Sequence, residues 1–121
     1  MAGQAAAAYA TAVGPEHPET LRNHVFQAYA IARLGELDDA EKLARAAGFK
    51  YFQLAGTSNT RAEQVMYYLV DIFQSQALRA LEAGRYADSQ KYYGEIIEII
   101  TAVKGPNSEY LPTQQTRHDL L

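Results

Sequence analysis

The chain has 121 residues, 48% of them hydrophobic, and a formal net charge of −3. That suffices for one domain with a modest core and is too apolar for a disordered chain. No Lys/Arg cluster stands ready to neutralise phosphates, which argues against nucleic acid as a partner, and the lack of cysteine excludes disulfides and thiolate chemistry and fits a reducing cytoplasm.

The first residues, Met1 to Ala8, carry no positive charge and no leucine-rich run, so they read as an alanine-rich helix rather than a signal peptide. No apolar run approaches the ~20 residues that a bilayer span needs. A short helix is predicted over 4–13, with Gly14 as its cap and Pro15 as its stop. The next is predicted over 18–33, with Pro18 in the first turn, where its missing N–H costs nothing. Leu21, Val25, Ala28, Tyr29 and Ala32 recur there at spacings of three and four and share one face. Leu34-Gly35 ends it.

Asp38 and Glu41 form a candidate capping box for a helix over 38–53. Ala40, Leu43, Ala44, Ala47 and Tyr51 point inward. Gly48 inside this helix costs about 1 kcal/mol relative to alanine; close approach by a neighbouring backbone or a local kink would account for it. Thr60 and Glu63 offer a second capping box, for a long helix over 60–83. Its Val65, Tyr68, Leu69, Ile72, Ala77, Ala80 and Leu81 keep a helical period. A helix over 86–103 carries Tyr92, Tyr93, Ile96, Ile97, Ile99 and Ile100 along a broad apolar face, and a last one over 112–121 starts at Pro112.

The glycines set a metre. Gly14 to Gly35, Gly35 to Gly56 and Gly84 to Gly105 are each 21 residues apart, whereas Gly56 to Gly84 is 28. The extra seven residues are nearly two helical turns, which lengthen a helix by ~10 Å and return its faces almost to register. Self-similarity at this period predicts stacked helical hairpins.

The run Gly14-Pro15-Glu16-His17-Pro18-Glu19-Thr20-Leu21-Arg22, followed by Ala28, Leu34-Gly35, Asp39-Ala40-Glu41 and Ala47, resembles the tetratricopeptide repeat superfamily, and within it the 42-residue kinesin-light-chain-type repeat. The match is fairly specific over 14–56. A second repeat matches at Ala77, Gly84-Arg85-Tyr86 and Tyr93, with Ser89 in place of the usual alanine. A third only begins, at 105–121, which leaves two readings: a piece of a longer array, or a final helix that packs on another copy. The resemblance implies an all-α fold in a single domain over 1–121. That fold is a right-handed stack of antiparallel helical hairpins, an α-solenoid of about 2.5 repeats with an extended first helix in the second.

First helices line a concave groove in this superfamily. The matching positions are Arg22, Val25, Tyr29 and Arg33 in the first repeat, Tyr67, Asp71, Gln74 and Leu78 in the second, and Thr113 and Arg117 in the third. Arg22, Arg33 and Arg117 suit bidentate binding of carboxylates, or are solvated surface charges. Many relatives carry an Asn pair on the first helix; Val25 and Phe26 stand there instead, so no Asn clamp is carried over.

Nine tyrosines suit either partner contacts or packing between hairpins. Tyr68, Tyr86 and Tyr93 are assigned to the core, and Tyr29 and Tyr67 to the surface. His17 fits the turn motif, and His24 and His118 have no ligand spacing, so no metal is expected. No serine sits in a nucleophile elbow and no Gly-rich phosphate loop occurs, so neither catalytic residues nor a cofactor is expected. The small face Ala40, Ala44, Ala47 and Gly48 invites close approach by the bulky 60–83 helix, with tight packing rather than a ligand cavity as the default. The leading functional reading is a cytoplasmic, non-enzymatic scaffold that binds a protein or peptide in its groove, away from nucleic acid and membranes. The alternatives are homo-oligomerisation through the third repeat, and a small-molecule sensor or helical enzyme with a pocket between hairpins.

Overall fold

The computed structural model describes residues 17–121; the helix expected over 4–13 and its Gly14-Pro15 ending lie outside them. The described residues form five α-helices and no strand: α1 (Pro18–Arg33), α2 (Leu37–Ala55), α3 (Thr60–Glu82), α4 (Tyr86–Lys104) and α5 (Leu111–Asp119). The fold class is all-α. The bounds fall within two residues of those read from the sequence. At 23 residues, α3 is seven longer than the 16-residue α1, so the excess in the glycine metre lies inside one helix.

The metre itself marks helix ends of two kinds. Gly35 and Gly84 close α1 and α3 with the same bonding. Each donates its N–H three residues back, to Ala32 and Leu81 respectively. The next residue, Glu36 or Arg85, donates five back, to Ile31 or Ala80. This is a Schellman ending, and it needs a residue in the left-handed region. Gly56 and Gly105 close α2 and α4 differently, each donating four back, to Phe52 and Thr101. All four have φ between 76° and 92°, where a Cβ is strained and glycine is not.

Helix starts depart from the expected capping boxes. Asp38 sits inside the first turn of α2, and the N-cap is Glu36, which makes no side-chain cap bond. For α3 the cap is Asn59 rather than Thr60: its Oδ1 accepts from the N–H of Ala62 at 2.8 Å. The start signal was read one or two residues late because both helices open on runs of several polar residues. His17 caps α1, its Nδ1 accepting from the N–H of Glu19 at 3.1 Å.

Two compact units divide the chain inside α3, Met1–Ile72 and Phe73–Leu121. In the first, α1 and α2 pack against each other across a three-residue link, and Leu21, Val25, Ala28, Ala44, Tyr51, Val65 and Leu69 are buried. Gly48 is where α2 admits α3. A Cβ built there would lie 2.8 Å from Leu69 Cδ1, so what crowds Gly48 is a neighbouring side chain, not a backbone.

In the second unit Phe73, Ala77, Tyr93, Ile96 and Ile100 are buried. The Ser89 hydroxyl, fully buried, donates to the Ala77 carbonyl at 2.8 Å, which satisfies a polar group at a position that otherwise suits alanine. Helix α5 lies against α4. Gln90 Nε2 donates to the His118 carbonyl at 3.1 Å, and Gly94 faces the His118 ring.

Candidate partner-binding face

In the first unit, one stripe of α1 runs beside one stripe of α3. Arg22, Phe26, Tyr29 and Arg33 follow one another at helical spacing, as do Arg61, Gln64, Tyr68 and Asp71. Three contacts tie the stripes together, and each joins residues 42 apart. Arg61 Nη1 pairs with Glu19 Oε1 at 2.7 Å. Arg22 Nη1 donates to Gln64 Oε1 at 2.8 Å. The Phe26 ring meets the Tyr68 ring edge to face, with centroids 5.6 Å apart. Both partners advance together along the sequence, so α1 and α3 run in the same direction at these contacts.

The lower part of this face is ionic. Glu19 also accepts from Arg22 Nη2 at 2.7 Å. That hydrogen bond holds the Glu19 carboxyl below its usual range, against the opposing effect of burial, and the charges of Arg22 and Arg61 add to it. Burial pushes the neighbouring Tyr51 phenol up, and the Glu19 charge contributes. Beside these groups is an open depression of about 440 Å³ lined by Pro18, Glu19, Tyr51, Asn59, Thr60 and Arg61.

Stability should therefore depend on the Glu19 carboxylate. Its lowered pKa contributes stability that is present above the ordinary value of 4.5 and lost as pH falls through the lowered value. At neutral pH, Glu19→Gln is expected to cost about 1 kcal/mol, because Glu19 is mostly buried but Arg61 is exposed. In acid the two proteins should converge. Thermal melts at pH 7 and pH 3 measure this; a gap that is the same at both pH values contradicts it.

The upper part is aromatic. Tyr29 and Tyr68 lie with ring centroids 4.8 Å apart, and the Arg33 guanidinium sits 6.0 Å from the centre of the Tyr29 ring. Phe26 and Tyr67 are each 45% exposed. Arg33 is exposed and makes no ion pair among the described residues. Large, half-exposed rings with a neighbouring cation make an adhesive surface of low conformational entropy.

No protein-family model matches this chain, nor does any curated protein or solved structure. Of the residues expected in the groove, Tyr29 and Arg33 lie together on the α1–α3 face, and Tyr67 and Asp71 are exposed on α3. Arg22 is on it but engaged by Glu19 and Gln64, with its Nε buried and unpaired. Val25 is fully buried and cannot meet a partner; its neighbour Phe26 takes the outward position.

The remaining four belong to the second unit. Leu78, Thr113 and Arg117 are exposed and Gln74 is half-buried. They make no ion pair or ring contact among the described residues. Tyr93 is buried as expected, but Tyr68 is half-buried and Tyr86 is exposed at the first turn of α4, so neither belongs to a closed core. Phe26, Tyr68 and the Glu19–Arg61 pair were missed as a unit. The signal was available: pairing each residue with the one 42 positions later finds all three contacts.

No helix among the described residues is long and apolar enough to cross a membrane. No group of three His, Cys, Asp or Glu side chains among them is placed to hold a metal ion.

Proposed function

We propose that the protein is a non-enzymatic helical-repeat module of the tetratricopeptide type that binds a protein or peptide partner along the α1–α3 face. The observation that carries this reading is the set of side-chain contacts joining residues 42 apart. Equivalent positions of successive repeats meet in that way when first helices of hairpins are stacked side by side. The recurrence of the Gly35 ending at Gly84 supports the same reading. Stacked first helices make an extended surface, and here it carries Phe26, Tyr29, Tyr68 and Arg33. A cysteine-free chain of net charge −3 suits a cytoplasmic protein ligand better than nucleic acid.

A peptide library displayed on an array and probed with the full chain tests this. Binders are expected whose affinity falls by roughly tenfold or more in Tyr29→Ala and in Arg33→Glu, as for anchors at the centre of an interface. If no binder distinguishes these variants from the unsubstituted chain, the face is not the site.

A further inference from the structure

Two phenol groups on the α1–α3 face stand without a hydrogen bond. Tyr29 and Tyr68 pack ring against ring at 4.8 Å, yet neither hydroxyl bonds to any of the described residues. Phe26 meets Tyr68 with 83° between the ring planes. The three rings form one ridge across two helices, with Phe26 exposed and both tyrosines half-buried. Arg33 adjoins it through the Tyr29 ring and has no ion pair among the described residues. We infer that the partner segment is proline-rich, held as a polyproline II helix, with an acidic side chain that pairs with Arg33. This rests on the reading of the α1–α3 face as the partner site and names the class of that partner.

Three observations select the class. The first is the pair of unbonded hydroxyls. A polyproline II helix has no internal hydrogen bonds, so its carbonyls are open to outside donors. An α-helical partner spends its carbonyls on itself. A partner added as a strand needs a sheet edge, and the described residues contain no strand. The second is the rings. Aromatic-lined surfaces take proline because its apolar ring lies against them and its backbone is already fixed, so little conformational entropy is lost on binding.

The third is spacing and charge. From Phe26 to Arg33 is seven residues of α1, about 10 Å along the helix axis. One turn of polyproline II is three residues and about 9 Å. A proline seated on Phe26 and Tyr68 therefore brings the side chain one turn along, on the same face of the partner, to Arg33. A carboxylate at that position meets a guanidinium that no ion pair neutralises.

The test uses the full chain and fluorescein-labelled peptides of equal length. In the first, proline-rich blocks flank a single glutamate; in the second, alanine replaces every proline; in the third, lysine replaces the glutamate. Fluorescence anisotropy should show the first binding at least tenfold more tightly than the second, or about 1.4 kcal/mol. Tyr29→Phe and Tyr68→Phe keep the rings and lose the hydroxyls, and each should weaken the first peptide by about fivefold, the worth of one hydrogen bond. The lysine peptide should bind the unsubstituted chain more weakly than the glutamate peptide, and Arg33→Glu should reverse that order. The exchange of glutamate for lysine alters only the peptide, so it holds even where a variant disturbs the fold. The inference is overturned if the proline peptide does not bind, if the alanine or lysine peptide binds the unsubstituted chain as tightly, or if both phenylalanine variants bind like the unsubstituted chain. The face itself survives such a result as long as array binders of other composition are lost in Tyr29→Ala. It falls only when no binder distinguishes that variant.

Discussion

Replacing Gly48 by leucine should destabilise the first unit by roughly 2–3 kcal/mol, the upper part of the range for overpacking a filled core. The first atom added, the Cβ, already meets Leu69 Cδ1 at 2.8 Å and Leu69 Cγ at 3.1 Å. Leu69 is fully buried, so its side chain cannot swing into solvent to make room. The three further carbons of leucine deepen the overlap. Gly48→Ala is milder, because a gain of about 1 kcal/mol in helix propensity offsets a small shift of Leu69. Urea unfolding followed by circular dichroism measures both. Adding Leu69→Ala to Gly48→Leu should restore part of the loss. The space that alanine leaves accepts the new side chain, and the two changes then fall short of additive. A Gly48→Leu midpoint equal to that of the unsubstituted chain would mean that α2 and α3 do not pack at this point.

The second large effect belongs to the other unit. Phe73→Ala is expected to cost about 3–5 kcal/mol, the usual penalty for removing a buried aromatic ring. Phe73 is fully buried, and its ring lies 6.1 Å from that of Tyr92 on α4. Truncation leaves a cavity and removes that ring contact. Tyr92 is only half-buried, so Tyr92→Ala should cost distinctly less. Equal losses at the two positions would contradict the assignment of Phe73 to the core and Tyr92 to its margin. The same unfolding curves decide it.

Helix positions were legible because their punctuation is local. Gly35, Gly56, Gly84 and Gly105 each require a backbone that other residues resist, and Pro18 suits only a first turn. The seven-residue excess was legible for the same reason, since it falls between two such glycines. The caps were less so. Asn59 rather than Thr60 accepts from a first-turn N–H, that of Ala62, and both residue types suit the role.

The face was only partly legible. Tyr29, Arg33 and Val25 are groove positions that the family resemblance implies, and of the three Val25 is fully buried. A helix presents about 100° per residue, so adjacent positions diverge, and Phe26 rather than Val25 points outward. The sequence offers Arg22 either as a carboxylate-binding cation or as a solvated surface charge. It is instead committed to Glu19 and Gln64, a pairing between elements that no local pattern announces. Tyr86 failed for a related reason: an aromatic residue in the first turn of a helix can end on either side of the surface, and burial there is decided by tertiary neighbours.

The measurement that reaches the proposed function most directly is a footprint of a bound peptide. The tightest binder from the array is titrated into isotope-labelled full chain, and backbone and aromatic NMR shifts are followed. The expected result is a perturbed patch centred on Phe26, Tyr29, Arg33 and Tyr68, with the outward residues of α2, such as Gln53 and Leu54, unmoved. A footprint on α2 that leaves Tyr29 and Tyr68 untouched would contradict it.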